Sequence, residues 1–346
     1  MLERIALMGA GSLGTVLSAF ISQHRQLDVV DVNRAHVEAL NRSGAHIVGT
    51  VDMTVPVRAM TPEQMQGEYD LFIYMAKQTF NETALPQMLG HLSKNGYIVT
   101  CQNGLPENAI CKVWPREQVF GAPVAWGASF MGPGVSRLNS PADHMEFTLG
   151  AVTGEETPAL LEVQKILQFM CPTRISKNLL GLRWSKLFMN ATMSGLGTVC
   201  GGNFGDVFED PVGFELLYVM GKEICQVCET AHIFIEPFGK VDFHSLFAGS
   251  GSAAFENCAR VWKETFLPNR NVVPSMKMDL EAGRKCEVDA INGAVCQAGR
   301  DFGVATPLCD QVTAMIHEIQ DGKRKMEQAN FLQLKKELEN RKEQKK

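Results

Sequence analysis

Six residues near the start constrain this chain more than any others: Gly9-Ala10-Gly11-Ser12-Leu13-Gly14. They come after an apolar run, Ile5 to Met8, and open a segment carrying Val16, Leu17, Ala19, Phe20 and Ile21. An apolar strand, a glycine turn and an apolar helix are the start of a βαβ unit. In that setting one glycine permits a tight turn, one lets the backbone approach a phosphate, and one lets the helix pack closely on the strand. Ser12 and Leu13 would lie at the helix N-terminus, where the dipole favours negative charge. The pattern predicts a dinucleotide-binding turn.

Asp31 ends the next apolar run, twenty positions after Gly11. An acid there can hydrogen-bond the adenosine ribose hydroxyls and repel a 2′-phosphate, which favours NAD. Arg34, three residues on, could instead pair with a 2′-phosphate, so NADP stays open.

Further apolar runs at Leu27 to Val32, Leu71 to Met75, Tyr97 to Cys101 and Val119 to Phe120 alternate with helix-length segments, as in a doubly wound, mostly parallel sheet. The stretch from Phe130 to Gly150 is rich in Gly, Pro and Ser and reads as loop and edge strands extending that sheet. From about Leu179 the apolar residues recur at three and four spacing, which is helical. The expected organisation is an α/β dinucleotide-binding domain over 1–177, an all-α domain over 178–322, and a charged tail over 323–346. Phe331, Leu334 and Leu338 fall at helical spacing in the tail, which reads as a solvated terminal helix or as a self-association helix.

A net charge of −5, with no long basic run before the tail, leaves no electrostatic footprint for nucleic acid and points to a small-molecule substrate. The start runs straight into the glycine motif, too short for a secretory leader, and no stretch has the apolar length of a membrane span, so a cytoplasmic protein is expected. Ten scattered cysteines in apolar surroundings suit reduced thiols. Cys225 and Cys228 form a C-x-x-C in a helical pattern without a second pair, so no metal site is read there.

None of the eight histidines sits in a telling context. Lys186, Asn190 and Ser194 fall at i, i+4 and i+8, along one face of an otherwise apolar helix. They would line a pocket, with a snorkelling surface lysine as the alternative. Ser275 and Glu287 are expected in the first turns of two helices separated by Gly283, as site residues or as caps. Lys77 and Asn103-Gly104 stand at strand carboxyl ends, which face the ligand crevice in open α/β sheets.

These segments together resemble the ketopantoate reductase family, from Met1 to about Ala314. The most distinctive match is Ser275-Met276 with Asp279, then Glu287-Val288-Asp289-Ala290-Ile291-Asn292-Gly293. The resemblance implies a Rossmann-type domain followed by a 6-phosphogluconate dehydrogenase-like helical domain, and reduction of 2-dehydropantoate to D-pantoate. It implies Lys186 as the general acid for the ketone oxygen and Glu287 as the carboxylate that interacts with it. Asn190 and Ser275 would hold the substrate, and Lys77 and Asn103 the nicotinamide side. A homodimer is implied by the family analogy alone.

Three positions depart from the family pattern. Ser194 stands where many members carry a second asparagine, Val272 where an asparagine often precedes the serine, and Asp31 where a basic residue is usual. The segment from Asp31 through His36-Val37-Glu38-Ala39-Leu40, Trp126 ahead of Gly132-Pro133-Gly134, and Asn203 are similar to a branch of NAD-dependent D-2-hydroxyacid dehydrogenases of the D-mandelate type. That branch takes 2-oxo acids with branched or aromatic side chains. A reading of another class is a dinucleotide-binding sensor without chemistry, against which the joint presence of Lys186, Ser275 and Glu287 argues.

Overall fold

The computed structural model describes residues 2–344, and the chain divides into two compact units between residues 179 and 180. In the first unit the strands, in chain order, are β1 (Ile5–Met8), β2 (Asp28–Val30), β3 (Ala45–Gly49), β4 (Met53–Val55), β5 (Arg58–Met60), β6 (Tyr69–Tyr74), β7 (Leu92–Thr100), β8 (Val119–Gly121), β9 (Ala128–Gly132), β10 (Val135–Leu138), β11 (Phe147–Ala151) and β12 (Thr173–Ile175). Helices α1 (Ser12–Ser22), α2 (Arg34–Ser43), α3 (Asn81–Leu89), α4 (Glu107–Ile110) and α5 (Pro158–Leu167) connect them.

Eight strands form one sheet in the order β12-β11-β8-β7-β6-β1-β2-β5. From β5 to β8 every neighbouring pair is parallel, and β11 joins β8 antiparallel. Alternate side chains of each central strand enter different cores. Leu7, Leu71, Ile73 and Val99 pack on one face with Val16 and Leu17 of α1 and Val163 of α5. Ala6, Met8, Phe72, Tyr74 and Ile98 pack on the other with Met88 of α3 and Ile110 of α4. Burial on both faces is why these strands read as unbroken apolar runs.

The segment 128–138 does not extend that sheet. β9 and β10 belong to a separate four-stranded sheet, β4-β3-β10-β9, in which β10 runs parallel to β3. Short strands carrying polar residues such as His46, Thr54 and Arg137 present no apolar run to read. α1 touches β1 of the main sheet and β3, β9 and β10 of the small one. Packing on both sides explains a helix that is apolar nearly all round.

The second unit is helical. α6 (Leu179–Met189) continues through a π turn (Asn190–Ser194) into α7 (Gly195–Cys200). Beyond it lie α8 (Phe204–Phe208), α9 (Pro211–Thr230), α10 (Phe243–Ala248), α11 (Gly251–Phe266), α12 (Ser275–Glu281), α13 (Asn292–Asp301), α14 (Pro307–Gln320) and α15 (Ala329–Gln344). α9 touches α8, α10, α11, α13, α14 and α15 and forms the axis of the unit. Phe188, Phe243, Phe247, Trp262 and Phe266 stack into one aromatic cluster beside it.

The charged tail is neither a solvated helix nor a free surface for self-association. Phe331 and Leu334 are fully buried and Leu338 nearly so, as α15 lies on α7 and α9. The Asn330 Nδ2 donates to Val199 O and Lys325 O, both at 2.9 Å, which ties the start of α15 to the end of α7. On its other side Lys336 and Glu339 are exposed.

Candidate active site

Each glycine of the first motif carries a distinct constraint. Gly9 sits at φ +101°, where an L side chain is strained, and a Cβ there would overlap the backbone of Ala76 after β6. At Gly14 a Cβ would overlap the carbonyl of Gly9, so this glycine lets α1 close onto the turn. At Gly11 a Cβ would meet nothing within 4 Å. Gly11 is the exposed N-cap of α1 and supplies no side-chain cap, and the first turn holds no acid. Open space over uncapped helical N–H groups, including those of Ser12 and Leu13, is a cradle that fits a pyrophosphate.

The ends of β6 and β7 are bolted together at this edge. Gln102 Nε2 donates to Ala76 O at 2.6 Å and to Asn81 Oδ1 at 3.0 Å, and Tyr74 Oη donates to the same Asn81 oxygen at 2.6 Å. Gln78 Nε2 donates to Asn103 O at 2.5 Å. Lys77 and Asn103, both half-buried, are therefore held on adjoining loops beyond neighbouring parallel strands. Residue type alone gives no sign that Gln102 is the brace.

At the end of β2, Asp31 is half-buried and its Oδ1 accepts from Asn33 N at 2.8 Å. Arg34 is exposed at the first position of α2. His36 is fully buried one turn on. Gly134 N donates to its Nδ1 at 2.9 Å, which leaves the proton on Nε2, facing Thr15 Oγ1 at 3.1 Å. Thr15 Oγ1 in turn donates to Ala10 O at 2.7 Å, inside the glycine turn. Burial lowers the His36 pKa, with Asp31 opposing, so the ring is neutral as these bonds require. Nothing local marks this histidine as a brace for the cradle, because its partners lie as far as 98 residues away.

In the second unit Lys186 lies half-buried in the last turn of α6, and Asn190, also half-buried, begins the π turn that ends on buried Ser194. An unbroken α-helix would place these three by the i, i+4, i+8 rule; the widened turn changes the azimuth of everything after Asn190. Arg183, one turn before Lys186, is 2% exposed, a buried cation that the sequence pattern does not separate from its neighbours.

Ser275 opens α12 at an exposed position, directly after the N-cap Pro274. Glu287 is not in a first helical turn. Residues 284–291 form loop and turn, and α13 starts only at Asn292. This segment is fixed from outside: Arg284 pairs with buried Asp279 at 3.1 Å, and Cys286 N donates to Gln320 Oε1 at 3.0 Å. Glu287 is buried as a result, at 6% exposure. Asn203 caps α8, accepting from Asp206 N at 3.0 Å while Asp206 Oδ2 accepts from Asn203 N at 2.8 Å. That capping box occupies its carbonyl oxygen.

Cys225 and Cys228 are buried on α9, and burial pushes both thiols up, Cys225 to about 12. Among the described residues no group of three or more His, Cys, Asp or Glu is placed to hold a metal ion, and no helix is long and apolar enough to cross a membrane.

Two family models match consecutive stretches that together take in most of the chain. Residues 5–154 match the model described as ketopantoate reductase PanE/ApbA, and residues 178–320 match its C-terminal counterpart. The chain belongs to the ketopantoate reductase family. Among curated members, the 2-dehydropantoate 2-reductase of Aquifex aeolicus is 25% identical over 331 residues, covering 91% of this chain and 96% of that one. The Lactococcus lactis enzyme of the same name is 24% identical, covering 91% and 97%. Two solved structures share the fold. A D-mandelate dehydrogenase with NADH and anilino(oxo)acetate has a TM-score of 0.79 at 22% identity, covering 92% of this chain and 99% of that one. A PanE/ApbA family ketopantoate reductase from Ralstonia eutropha has 0.77 at 21%, with the same coverage.

Proposed function

We propose that this chain is a 2-oxo acid reductase, reducing 2-dehydropantoate to D-pantoate with a nicotinamide cofactor. The observation that carries the reading is the open cradle over Gly11 in a chain that also holds Lys186 half-buried on a polar helix face. Gly9, Gly11, Ser12, Leu13 and Gly14 would hold the pyrophosphate, Asp31 the adenosine ribose, and Lys77 and Asn103 the nicotinamide side. When bound, the cofactor supplies hydride to the ketone carbon. Lys186 donates the proton that the ketone oxygen requires. Glu287 steadies the charged lysine, and Asn190, Ser194 and Ser275 hold the substrate. Asn203 enters substrate binding only through its amide nitrogen, given its cap.

Asp31 favours a second reading, an NAD-dependent D-2-hydroxyacid dehydrogenase acting on a branched or aromatic substrate. An acid at the end of β2 would hydrogen-bond the adenosine ribose and repel a 2′-phosphate, so we infer NAD as the preferred cofactor under either reading. Exposed Arg34 is what keeps NADP in contention. We further read the protein as cytoplasmic and homodimeric, from its ten free cysteines and from family analogy respectively.

The test is a panel of 2-oxo acids with NADH and NADPH, followed at the nicotinamide absorbance. The expected result is turnover of 2-dehydropantoate with NADH preferred. Faster turnover of an aromatic or branched 2-oxo acid selects the second reading, and no turnover of any 2-oxo acid overturns both. In Lys186→Ala turnover falls by about 10²-fold or more while cofactor affinity is retained; unchanged turnover removes Lys186 from the mechanism.

A further inference from the structure

The helix carrying Lys186, Asn190 and Ser194 contains an irregularity that costs stability and has an identifiable support. A π turn replaces i→i+4 hydrogen bonds with i→i+5 ones and fits one extra residue into the turn. Here the Gly195 N–H reaches Asn190 O, across five residues. Such conformations persist where the surrounding structure compensates for them, and they gather at functional sites.

The support comes from Asn292, the first residue of α13. Its side chain is fully buried, and its Nδ2 donates to the carbonyl of Ala191, inside the π turn, at 2.9 Å. Among the described residues its buried Oδ1 meets no hydrogen-bond donor. An amide with one half unsatisfied is a poor choice for stability alone, because a buried acceptor without a partner is destabilising. Gly195 leaves the room it needs, since a Cβ there would lie 2.7 Å from Asn292 Nδ2 and 3.0 Å from Oδ1. The far side of the turn is held by Thr192, whose Oγ1 donates to Phe188 O at 2.8 Å.

We propose that Asn292 is a positioning residue that locks the π turn and so sets the direction of Ser194 relative to Lys186 and Asn190. Loss of the lock lets the helix relax toward regular α geometry, which rotates the side chains beyond the turn by about one residue, roughly 100° at 3.6 residues per turn. The groups that hold the 2-oxo acid then no longer converge, while the nucleotide cradle, built from other residues, is untouched. The inference rests on the proposed 2-oxo acid reduction for its kinetic readout.

The test compares Asn292→Ala, Gly195→Ala and the double variant, each checked for folding by circular dichroism. The expected result is a rise of tenfold or more in KM for the 2-oxo acid in each single variant, with cofactor Kd within twofold of wild type. The double variant should be no worse than Asn292→Ala, because the added Cβ has lost the amide it strikes. Wild-type KM in folded Asn292→Ala, or multiplicative effects in the double variant, overturns the proposal. Gly195→Ala keeps Asn292 and serves alone if Asn292→Ala does not fold. If the wild-type protein reduces no 2-oxo acid, the functional reading fails by itself. The lock is then judged by amide hydrogen exchange over residues 190–195, which should accelerate in Asn292→Ala; unchanged exchange refutes it.

Discussion

Substituting Gly11 and Gly14 by alanine separates the nucleotide's requirement from the fold's. At Gly11 the φ of −60° suits alanine and the added Cβ meets nothing within 4 Å. The entropic gain from removing a glycine, about 0.4–1 kcal/mol, opposes the poorer helix N-cap, so stability should stay within about 1 kcal/mol of wild type. The methyl group nonetheless occupies the space over the N-terminus of α1. A pyrophosphate displaced from it loses charge-assisted hydrogen bonds worth about 1.5–3 kcal/mol and a dipole contribution of about 0.3–1 kcal/mol. The loss of about 2–4 kcal/mol weakens cofactor binding by roughly thirty- to several-hundred-fold. At Gly14 the Cβ overlaps the Gly9 carbonyl, so overpacking of about 1–3 kcal/mol falls on the fold itself. Cofactor titration by calorimetry, paired with thermal unfolding of the apoprotein, reads both quantities. Gly11→Ala should keep its Tm and lose affinity, whereas Gly14→Ala should lose Tm by roughly 2–12 °C. A cofactor Kd within threefold of wild type in Gly11→Ala would refute the cradle.

Three other outcomes are expected. Asp31→Arg should shift the ratio of kcat/KM values toward NADPH by tenfold or more, measured with both cofactors; an unchanged ratio removes Asp31 from cofactor choice. Burial holds the His36 pKa below its ordinary 6.5, so the unfolded chain takes up this proton first as pH falls. The stability it contributes is complete above about pH 6.5 and declines as pH drops from there toward the lowered folded value; denaturant titrations should show this slope, and His36→Gln should lack it. Leu334→Ala should cost about 2–5 kcal/mol in chemical denaturation, since the side chain is fully buried on the inner face of α15; a cost below about 0.5 kcal/mol would mean that the tail helix does not dock.

Features whose cause is local are legible in the sequence. The strand, glycine turn and helix at residues 5–22 lie consecutively; Gly14 meets a constraint set five residues away and Gly9 one set beside a neighbouring strand, while Gly11 is left open. The switch from α/β to all-helical packing is equally readable, because apolar periodicity changes with it. Features fixed by distant partners are not readable. The small sheet depends on β3 finding β10 across the chain, and its strands have no apolar run. His36 is unremarkable in its own segment, and only Gly134 and Thr15 make it a brace. Glu287 reads as helical yet lies in a loop, since Arg284 with Asp279 and Gln320 with Cys286 hold that loop in a form no local propensity announces. Lys186, Asn190 and Ser194 are legible as polar groups on one apolar helix, but an i+4 rule cannot foresee a π turn imposed by a residue about a hundred positions later.

The bond from Gly134 to His36 also carries a consequence for how the protein is made. A ribosome adds roughly 5–20 residues per second, so about 5–20 s separate the synthesis of His36 from that of the amide it accepts from, 98 residues later. Late in that interval the glycine turn has emerged but lacks its brace, and β9 and β10, which pack on α1, are still unmade. A nascent chain displaying residues 1–120 should therefore be a poor nucleotide binder, and competence should arrive abruptly once the hairpin of β9 and β10 clears the exit tunnel.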